Sequence, residues 1–315
     1  MAAESGPPQP FFYRWNRYGR LWLVATLAST AMVAAIRVVL QAETAPETIV
    51  PGHVPARILS VNIMSDEILL ALAPDRLIGL SVLADDPDSS NIAGEAVSIP
   101  ARVKADSEQI LMQSPDFVVI GGHSADVAGQ VEELGIPVFR IRGFESIEWI
   151  RLHIGLLGAM AGVPERAERL IAGMNRRIDA ISARVADRPR PRVLLYSASG
   201  WVSGRQTTLD DVISASGGIN VAAEMGIVGG KKIPQERVIM ADPDVILLRD
   251  SRKWESGFRQ ALLRDPAFQG VKALREQRVY SIPARLLVAS SHHIAETVET
   301  MARHLHPDAF PETAP

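Results

Sequence analysis

The amino-acid sequence predicts an α/β protein in which two βα-alternating lobes are joined by one long α-helix, with a ligand cleft between the lobes. Two observations predict this arrangement. Short apolar runs alternate with amphipathic segments across residues 56–145 and again across residues 191–307, whereas residues 146–190 carry helical patterns only. One segment of the first half also recurs in the second half at an offset of 128 residues, which indicates duplicated lobes.

Residues 1–42 combine a basic head with an apolar run. Arg14, Arg17 and Arg20 precede residues 21–36, which carry no charge. This order is typical of a signal peptide or an N-terminal membrane anchor. Because basic residues stay on the cytoplasmic side of a membrane, we expect the rest of the chain to be exported.

The length of this apolar run lies between that of a signal core and that of a membrane span. Small residues before position 43 offer cleavage points, so we favour a cleaved signal, with a retained anchor at residues 21–40 as the alternative. Residues 43–55 contain three prolines and are predicted to be a tether.

The first lobe is predicted to span residues 56–145. Its apolar runs predict four strands, RILSVN, RLIGLSVLA, FVVIGG and IPVFRIR. The segments between them predict three helices, SDEILLALA, SEQILMQS and SADVAGQVEELG, and the first of these opens with the N-cap candidates Ser65 and Asp66. Strands and helices joined by short loops favour a parallel sheet flanked by helices, as in Rossmann-like folds.

Residues 146–190 are predicted to link the lobes through two helices. The first is SIEWIRLHIGLLGAMAG, and the second begins at Pro164, a residue type favoured in the first helical turn, and runs to Ala186. Apolar residues recur every three or four positions along the second helix, which at ~1.5 Å per residue extends ~35 Å. We expect this helix to restrain the movement of the lobes.

The second lobe is predicted to span residues 191–307, with a tail at residues 308–315. Its predicted strands are RVLLYSA, VILLRD and RVYSIP. Its predicted helices are LDDVISASGG, QERVIMAD, WESGFRQALL, PAFQGVKALREQ and SHHIAETVETMARHL.

The internal repeat places a glutamate before a short helix in each lobe. Residues 108–120 and 236–248 both consist of Glu, a short helix, Pro-Asp and a strand. Two lobes that face each other enclose a crevice, and parallel sheets bind ligands beyond the carboxyl ends of their strands. The arrangement therefore predicts an exported binding protein.

The composition excludes several function classes. With a net charge of −3, the chain lacks the excess of Lys and Arg that nucleic-acid binding requires. The absence of cysteine excludes disulfides, thiolate metal sites and lipid attachment through Cys. His-Glu-x-x-His, Gly-x-Ser-x-Gly and Gly-x-Gly-x-x-Gly motifs are also absent, so we expect neither an enzyme nor a cofactor of the protein's own.

Histidines leave one metal-binding alternative open. His123 and His292 would contribute from opposite lobes, together with Asp85 and Asp250, to a site for bare zinc or manganese. The prediction remains that the protein supplies no metal site and that its histidines are solvated. The two histidines nearest the carboxyl terminus are included in this prediction: His304 and His306.

Four stretches resemble one family in their order and spacing. They are RILSVNIMSDEILLALAPDRLIGLS, SEQILMQSPDFVVIGG, LDDVISASGGINVAAE and IPQERVIMADPDVILL. Over about residues 55–307 the chain resembles the periplasmic substrate-binding proteins of ABC importers for vitamin B12, iron–siderophores and haem. The resemblance implies that the protein captures a metal chelate, namely a ferric siderophore, haem or cobalamin, and delivers it to an inner-membrane permease.

The resemblance also implies two sets of functional residues. Glu108 and Glu236 match the family's glutamates, one on each lobe, which enter arginine pockets of the permease. Trp201 and Arg249 are the foremost ligand-binding candidates, because aromatic rings suit a flat macrocycle and guanidinium groups suit carboxylates. The candidates that follow the predicted strands are Asn62, Met64, Ser65, Asp85, His123, Tyr196, Trp201, Arg249, Arg252, Trp254 and Arg285.

Two alternatives to an importer's receptor remain open at this level. One is a membrane-anchored sensor or adaptor of the same fold that does not take part in transport. The other is a chelatase-like enzyme on the two-lobed scaffold. The chain departs from the many lipoprotein members of the family because it has no cysteine.

Overall fold

The first lobe is built around a five-stranded parallel sheet. The computed structural model describes residues 54–143, 145–251 and 257–311, which lie within one compact unit, Thr48–Pro315. The strands of this sheet are β1 (Ile58–Ser60), β2 (Leu77–Ser81), β3 (Arg102–Val103), β4 (Phe117–Gly121) and β5 (Val138–Ile141). The helices between them are α1 (Ile63–Leu72), α2 (Ser107–Met112) and α3 (Ala125–Glu133). The strand order is β3-β2-β1-β4-β5.

Two helices follow the first sheet, α4 (Ile147–Met160) and α5 (Pro164–Val185). The prediction of a long helix that begins at Pro164 is confirmed. Its buried face, which includes Met174, Ile178 and Ile181, belongs to a hydrophobic core cluster that also contains residues of both sheets, such as Ile58 and Val193. One continuous core therefore joins the helix to both lobes.

The second lobe contains a four-stranded parallel sheet and a two-stranded antiparallel ribbon. The strands are β6 (Arg192–Tyr196), β7 (Trp201–Ser203), β8 (Ile219–Asn220), β9 (Gly230–Lys232), β10 (Val245–Asp250) and β11 (Val279–Pro283). The helices are α6 (Thr208–Ala215), α7 (Val221–Glu224), α8 (Gln235–Ala241), α9 (Phe258–Arg264), α10 (Lys272–Arg275), α11 (Ala284–Leu287) and α12 (Ile294–Leu305). The sheet order is β11-β10-β6-β8, and β7 pairs with β9.

The repeat seen in the sequence has a structural role in each lobe. Asp116 accepts hydrogen bonds from the backbone N–H groups of Ala56 and Arg57, both at 2.8 Å, just before β1. Asp244 accepts one from the N–H of Arg192 at 2.8 Å, at the start of β6. The aspartate of each Pro-Asp pair therefore fixes the start of the central strand in its own sheet.

The two-lobed α/β class is confirmed, and the differences from prediction are local. The ribbon of β7 and β9 was not predicted, because strands of three residues are too short to show a periodic pattern. The strand predicted as RLIGLSVLA ends at Ser81, where the chain turns into a 3₁₀ helix at Val82–Asp85. The predicted signal or anchor lies outside the described residues; among those described, no helix is long and apolar enough to span a membrane.

Candidate ligand-binding cleft

Each sheet has one topological switch point, where the order of its strands reverses direction. Loops follow the ends of the strands at this point. In the first sheet this point lies between β1 and β4, and in the second it lies between β6 and β10. Ligands of open α/β sheets bind beyond the strand ends at such points. Asn62 follows β1 and caps α1, accepting a hydrogen bond from the N–H of Met64 at 3.0 Å. His123 follows β4 and is exposed.

Asn62 and His123 meet over Gly121, the last residue of β4. A Cβ at Gly121 would lie 2.6 Å from Cε1 of His123 and 2.9 Å from Nδ2 of Asn62. Both side chains therefore pack on this glycine, and any larger residue would displace them. The structure brings these two predicted site residues together at the carboxyl edge of the first sheet.

The carboxyl edges of the two sheets face each other, because hydrogen bonds cross between the loops that follow them. The Ser251 hydroxyl, just after β10, donates to the Asp88 carboxylate at 2.6 Å. The Arg285 guanidinium donates to the Asn91 side-chain oxygen at 2.7 Å. These bonds join the second lobe to the loop that follows β2, so the strand ends border a common cleft.

A buried carboxylate also takes part in the contact between the two lobes. Glu67 in α1 is only 2% exposed. One of its oxygens accepts from both the backbone and side-chain N–H groups of Asn91 at 2.9 Å. The other accepts from the hydroxyl of Ser291 in the second lobe. Burial of a charged group is costly unless such donors satisfy it, so this network links the lobes firmly.

The neighbouring Asp66 is fully buried within the first lobe. Its carboxylate accepts hydrogen bonds from the backbone N–H and the hydroxyl of Ser81 at the end of β2. Burial nevertheless raises the pKa of this carboxyl from 3.8 to about 7, because the charged form is desolvated. Asp66 therefore supports the start of the loop that lines the cleft and does not reach the cleft itself.

The second lobe contributes a pocket of about 230 Å³ at its switch point. Tyr196 ends β6 and Arg249 lies near the end of β10, so adjacent strands place both at the pocket. Burial, and then the negative charge of Glu236, raise the pKa of the Tyr196 hydroxyl. The residues that line the pocket are Leu195, Tyr196, Ser197, Trp201, Val202, Ser203, Leu209, Gly230, Arg249 and Leu287.

Trp201 is the aromatic residue of the pocket that is most available to a ligand. It begins β7 and is 47% exposed. The hydroxyl of Ser197 accepts a hydrogen bond from its backbone N–H at 2.9 Å. A Cβ at Gly230 would lie 3.3 Å from Cζ3 of the indole, so the glycine leaves room for the ring. The indole is thus held in place while half of its surface faces solvent.

Three apolar residues at the cleft were missed in the sequence. Val82 and Leu83 are exposed directly after β2, on the loop that leads to Asp88. Val288 is exposed in the second lobe, after the pocket residue Leu287. The apolar pair Val82-Leu83, directly after the strand that ends at Ser81, was a usable signal in the sequence. Exposed apolar residues therefore follow a strand end in each lobe.

Four predicted ligand-binding residues have other roles. Met64 is 2% exposed and packs in the core, because the turn of α1 points it inward. Ser65 is buried and bonds to the hydroxyl of Ser60 at 2.6 Å. Arg285 joins the lobes through Asn91. Asp85 forms a two-pronged ion pair with the Arg102 guanidinium, at 2.7 Å for both contacts, which lowers the pKa of its carboxyl.

Two candidates, Arg252 and Trp254, lie outside the described residues. The glutamates of the repeat are exposed in the first turns of their helices, Glu108 in α2 and Glu236 in α8. Each helix also exposes a methionine one turn later, Met112 and Met240. The two lobes thus present the same pairing of an acidic and an apolar side chain.

Several histidines differ from their predicted solvated state, whereas His123 is exposed as predicted. His306 is buried, with its Nε2 2.7 Å from where a Cβ of Gly217 would lie. His304 is half-buried and stacks on Tyr280, with ring centroids 4.6 Å apart. Burial lowers the pKa of His292 to about 4, so it is neutral at pH 7. Among the residues described, no three His, Asp or Glu side chains group as a metal site.

Comparison with known proteins gives a consistent result across the described lobes. A sequence profile of the periplasmic binding protein family matches residues 58–286. An ABC transporter substrate-binding lipoprotein of Bacillus subtilis, YvrC, is 22% identical over 269 residues, which cover 82% of each chain. A cobalamin-binding protein of Halobacterium salinarum is 25% identical over 61% of this chain, which spans about half, 53%, of that protein's length.

A solved structure has the same architecture. The periplasmic heme-binding protein RhuT from Roseiflexus sp. RS-1, in its apo form, aligns with a TM-score of 0.69 and 26% sequence identity. The alignment covers 80% of this chain and 98% of that structure. The similarity thus extends over both lobes and the helices that join them.

Proposed function

Because the chain belongs to the periplasmic binding protein family, we propose that it captures a metal chelate outside the cytoplasm and delivers it to the permease of an ABC importer. The single observation that carries this proposal is the cleft between the lobes. An exposed indole and a guanidinium line its second-lobe wall, and exposed aliphatic side chains follow β2 on the first lobe.

The chemistry of the cleft supports a ligand with a flat apolar face and an anionic edge. Trp201 offers an aromatic surface against which a macrocycle stacks. Val82, Leu83 and Val288 add apolar surface from both lobes. Arg249 supplies a cationic donor for carboxylate or catecholate oxygens. Haem, cobalamin and ferric siderophores are the candidates, and the relatives include proteins named for heme and for cobalamin.

Delivery to a permease is supported by the two exposed glutamates. Glu108 and Glu236 occupy equivalent positions in the repeat, so a permease of two similar halves would contact both lobes in the same way. Arginine–carboxylate pairs are directional, and two of them would fix the orientation of the bound protein. Met112 and Met240 would add apolar contact beside each pair.

Export is supported by the order of basic and apolar residues before position 43 and by the periplasmic relatives. YvrC is a lipoprotein by name, whereas this chain has no cysteine for lipid attachment. The protein would therefore be released after signal cleavage or be held at the membrane by residues 21–40.

Thermal unfolding of the purified full-length chain tests this proposal. The additives would be haemin, cyanocobalamin, ferric siderophores and the bare ions Zn²⁺ and Mn²⁺. A ligand present at ~100 times its Kd adds ~2.7 kcal/mol of stability, so one chelate should raise the melting temperature by several degrees. A shift with bare metal alone, or with none of the additives, would contradict the proposal.

A further inference from the structure

The antiparallel ribbon of β7 and β9 assigns a face to each of its residues. Trp201 lies opposite Lys232, Val202 opposite Lys231, and Ser203 opposite Gly230. Directly opposed residues of an antiparallel pair project to the same face, and successive residues alternate between faces. Trp201, Ser203, Gly230 and Lys232 therefore share one face of the ribbon.

That face supplies most of the ribbon residues at the ligand pocket. Trp201, Ser203 and Gly230 line the pocket, and from the opposite face of the ribbon Val202 lines it as well. A Cβ placed on Gly230 would lie 3.3 Å from Cζ3 of Trp201, so the indole covers Gly230 on the face that the two residues share. Lys232 is the fourth member of this face; it is exposed and lies directly across the ribbon from Trp201.

Lys231 projects to the opposite face. It pairs with Val202, whose buried side chain belongs to a hydrophobic cluster of the second lobe that also contains Leu194 and Val221. Lys231 is exposed as well, so the two lysines have the same charge, the same exposure and adjacent positions. They differ only in the face to which they project.

The Lys232 ammonium has no carboxylate within ion-pair distance among the described residues. Carboxylates are near in the chain, since Glu236 lies in the first turn of α8, and Asp250 ends β10 next to Arg249. Neither neutralises the lysine. Within the part of the chain that the structure describes, Lys232 is therefore an exposed cation without an ion-pair partner, directly across the ribbon from the exposed Trp201.

We propose that Lys232 binds an anionic group of the ligand, and that the ligand is therefore a flat chelate whose ring carries carboxylates. This inference rests on the proposed function and deepens it. The ring would stack on Trp201, with one carboxylate at Lys232 and a second at Arg249 across the pocket. A neutral ring of the same shape would lose both contacts.

Equilibrium titration of the full-length chain with haemin and with haemin dimethyl ester tests the inference. The ester has the same ring but no free carboxylates. Lys232→Glu should weaken haemin binding by about tenfold, because attraction becomes repulsion, and should leave binding of the ester unchanged. Lys232→Arg should restore haemin binding. Lys231→Glu is the matched control, and it should change haemin binding by less than threefold.

Salt provides a second readout, because an exposed contact between charges is screened. The difference between wild type and Lys232→Glu should shrink in 0.5 M salt, where the Debye length falls to a few ångströms. Melting temperatures of both lysine variants should match that of the wild type, since both side chains are exposed.

Three results would overturn the inference. Equal effects of the two lysine variants would contradict the assignment of faces. Equal weakening of haemin and its ester would show that carboxylates are not recognised. Binding of cyanocobalamin but of neither porphyrin would retain the proposed function and refute the carboxylate-bearing ligand. Failure of every chelate to bind would instead refute the proposed function itself.

Discussion

Replacing Trp201 by alanine removes an aromatic surface that the free protein leaves 47% exposed. The indole contributes little to the core in this state, whereas a ligand in the pocket would cover its exposed half. The substitution should therefore reduce ligand affinity while leaving the stability of the unliganded protein almost unchanged.

The magnitude follows from the area available. A tryptophan side chain buries up to ~250 Å² when fully covered, so about half of that, on the order of 100 Å², is available to the ligand. At ~25 cal/mol per Å² this area is worth about 2.5 kcal/mol, which corresponds to a loss of affinity of about 50- to 100-fold.

Fluorescence or calorimetric titration with the chelate that stabilises the protein measures this loss. Trp201→Phe retains an aromatic ring and should lose less than tenfold. Leu134→Ala is a control at the exposed apolar residue that directly follows α3. That helix runs back from the carboxyl edge of the first sheet, so the control should bind as the wild type does. A Trp201→Ala variant with unchanged affinity would refute the stacking argument.

Further predictions concern stability and docking. The carboxyl of Asp66 has a pKa of about 7 in the folded protein, compared with its ordinary value of 3.8. Folding is therefore most favourable at low pH, where this carboxyl is neutral, and the protein loses stability as the pH rises from 3.8 to about 7. Asp66→Asn should remove this loss, which amounts to up to about 4 kcal/mol by pH 7, as denaturant unfolding from pH 4 to 7 would measure. Glu67→Ala leaves donors of Asn91 and Ser291 without their acceptor and should cost about 3 kcal/mol in the same assay at pH 7. Glu108→Ala and Glu236→Ala should each weaken binding to the solubilised partner permease about tenfold without altering affinity for the chelate.

Each of these expectations has an outcome that contradicts it. If the unfolding free energies of wild type and Asp66→Asn depended on pH in the same way, the titrating group would be another residue. An unfolding free energy unchanged by Glu67→Ala would remove the inter-lobe role of that carboxylate. Loss of chelate binding in either Glu108→Ala or Glu236→Ala would mean that the glutamates act in the cleft and not at a permease.

The architecture could be predicted because the sequence patterns that indicate it are long or occur twice. The helix that begins at Pro164 displays six turns of apolar periodicity, and a pattern of that length leaves no other interpretation. The Pro-Asp repeat was visible because the same residues recur in order. Its cause was not visible: Asp116 and Asp244 hold the starts of β1 and β6, strands distant in the chain.

The site could be predicted only in part. Tyr196, Trp201 and Arg249 were predicted as ligand-binding residues because residues at strand ends meet at a switch point, and all three line the pocket; that they bind a ligand stays a prediction. Met64 and Ser65 follow a strand equally closely but face inward, because α1 begins at once and turns them into the core. Which side chains project into a cleft depends on the first turn after each strand, and single-sequence patterns do not resolve that turn.

The features of the site that could not be predicted depend on contacts between segments that are distant in the chain. The face of Lys232 became clear only once β9 was seen to pair with β7, about 30 residues earlier in the chain. Glu67 was one acidic residue among several in a predicted helix, and only the tertiary structure placed the donors of Asn91 and Ser291 around it. Long-range contacts of this kind leave no local mark in the sequence.

A chelate that binds between the lobes should slow amide hydrogen exchange in both of them, which is measured by comparing exchange with and without the stabilising chelate. Protection should extend over residues 82–91 and 121–124 in the first lobe and over residues 197–203 and 249–251 in the second. Protection confined to one lobe, or located away from the carboxyl ends of the strands, would contradict binding between the lobes.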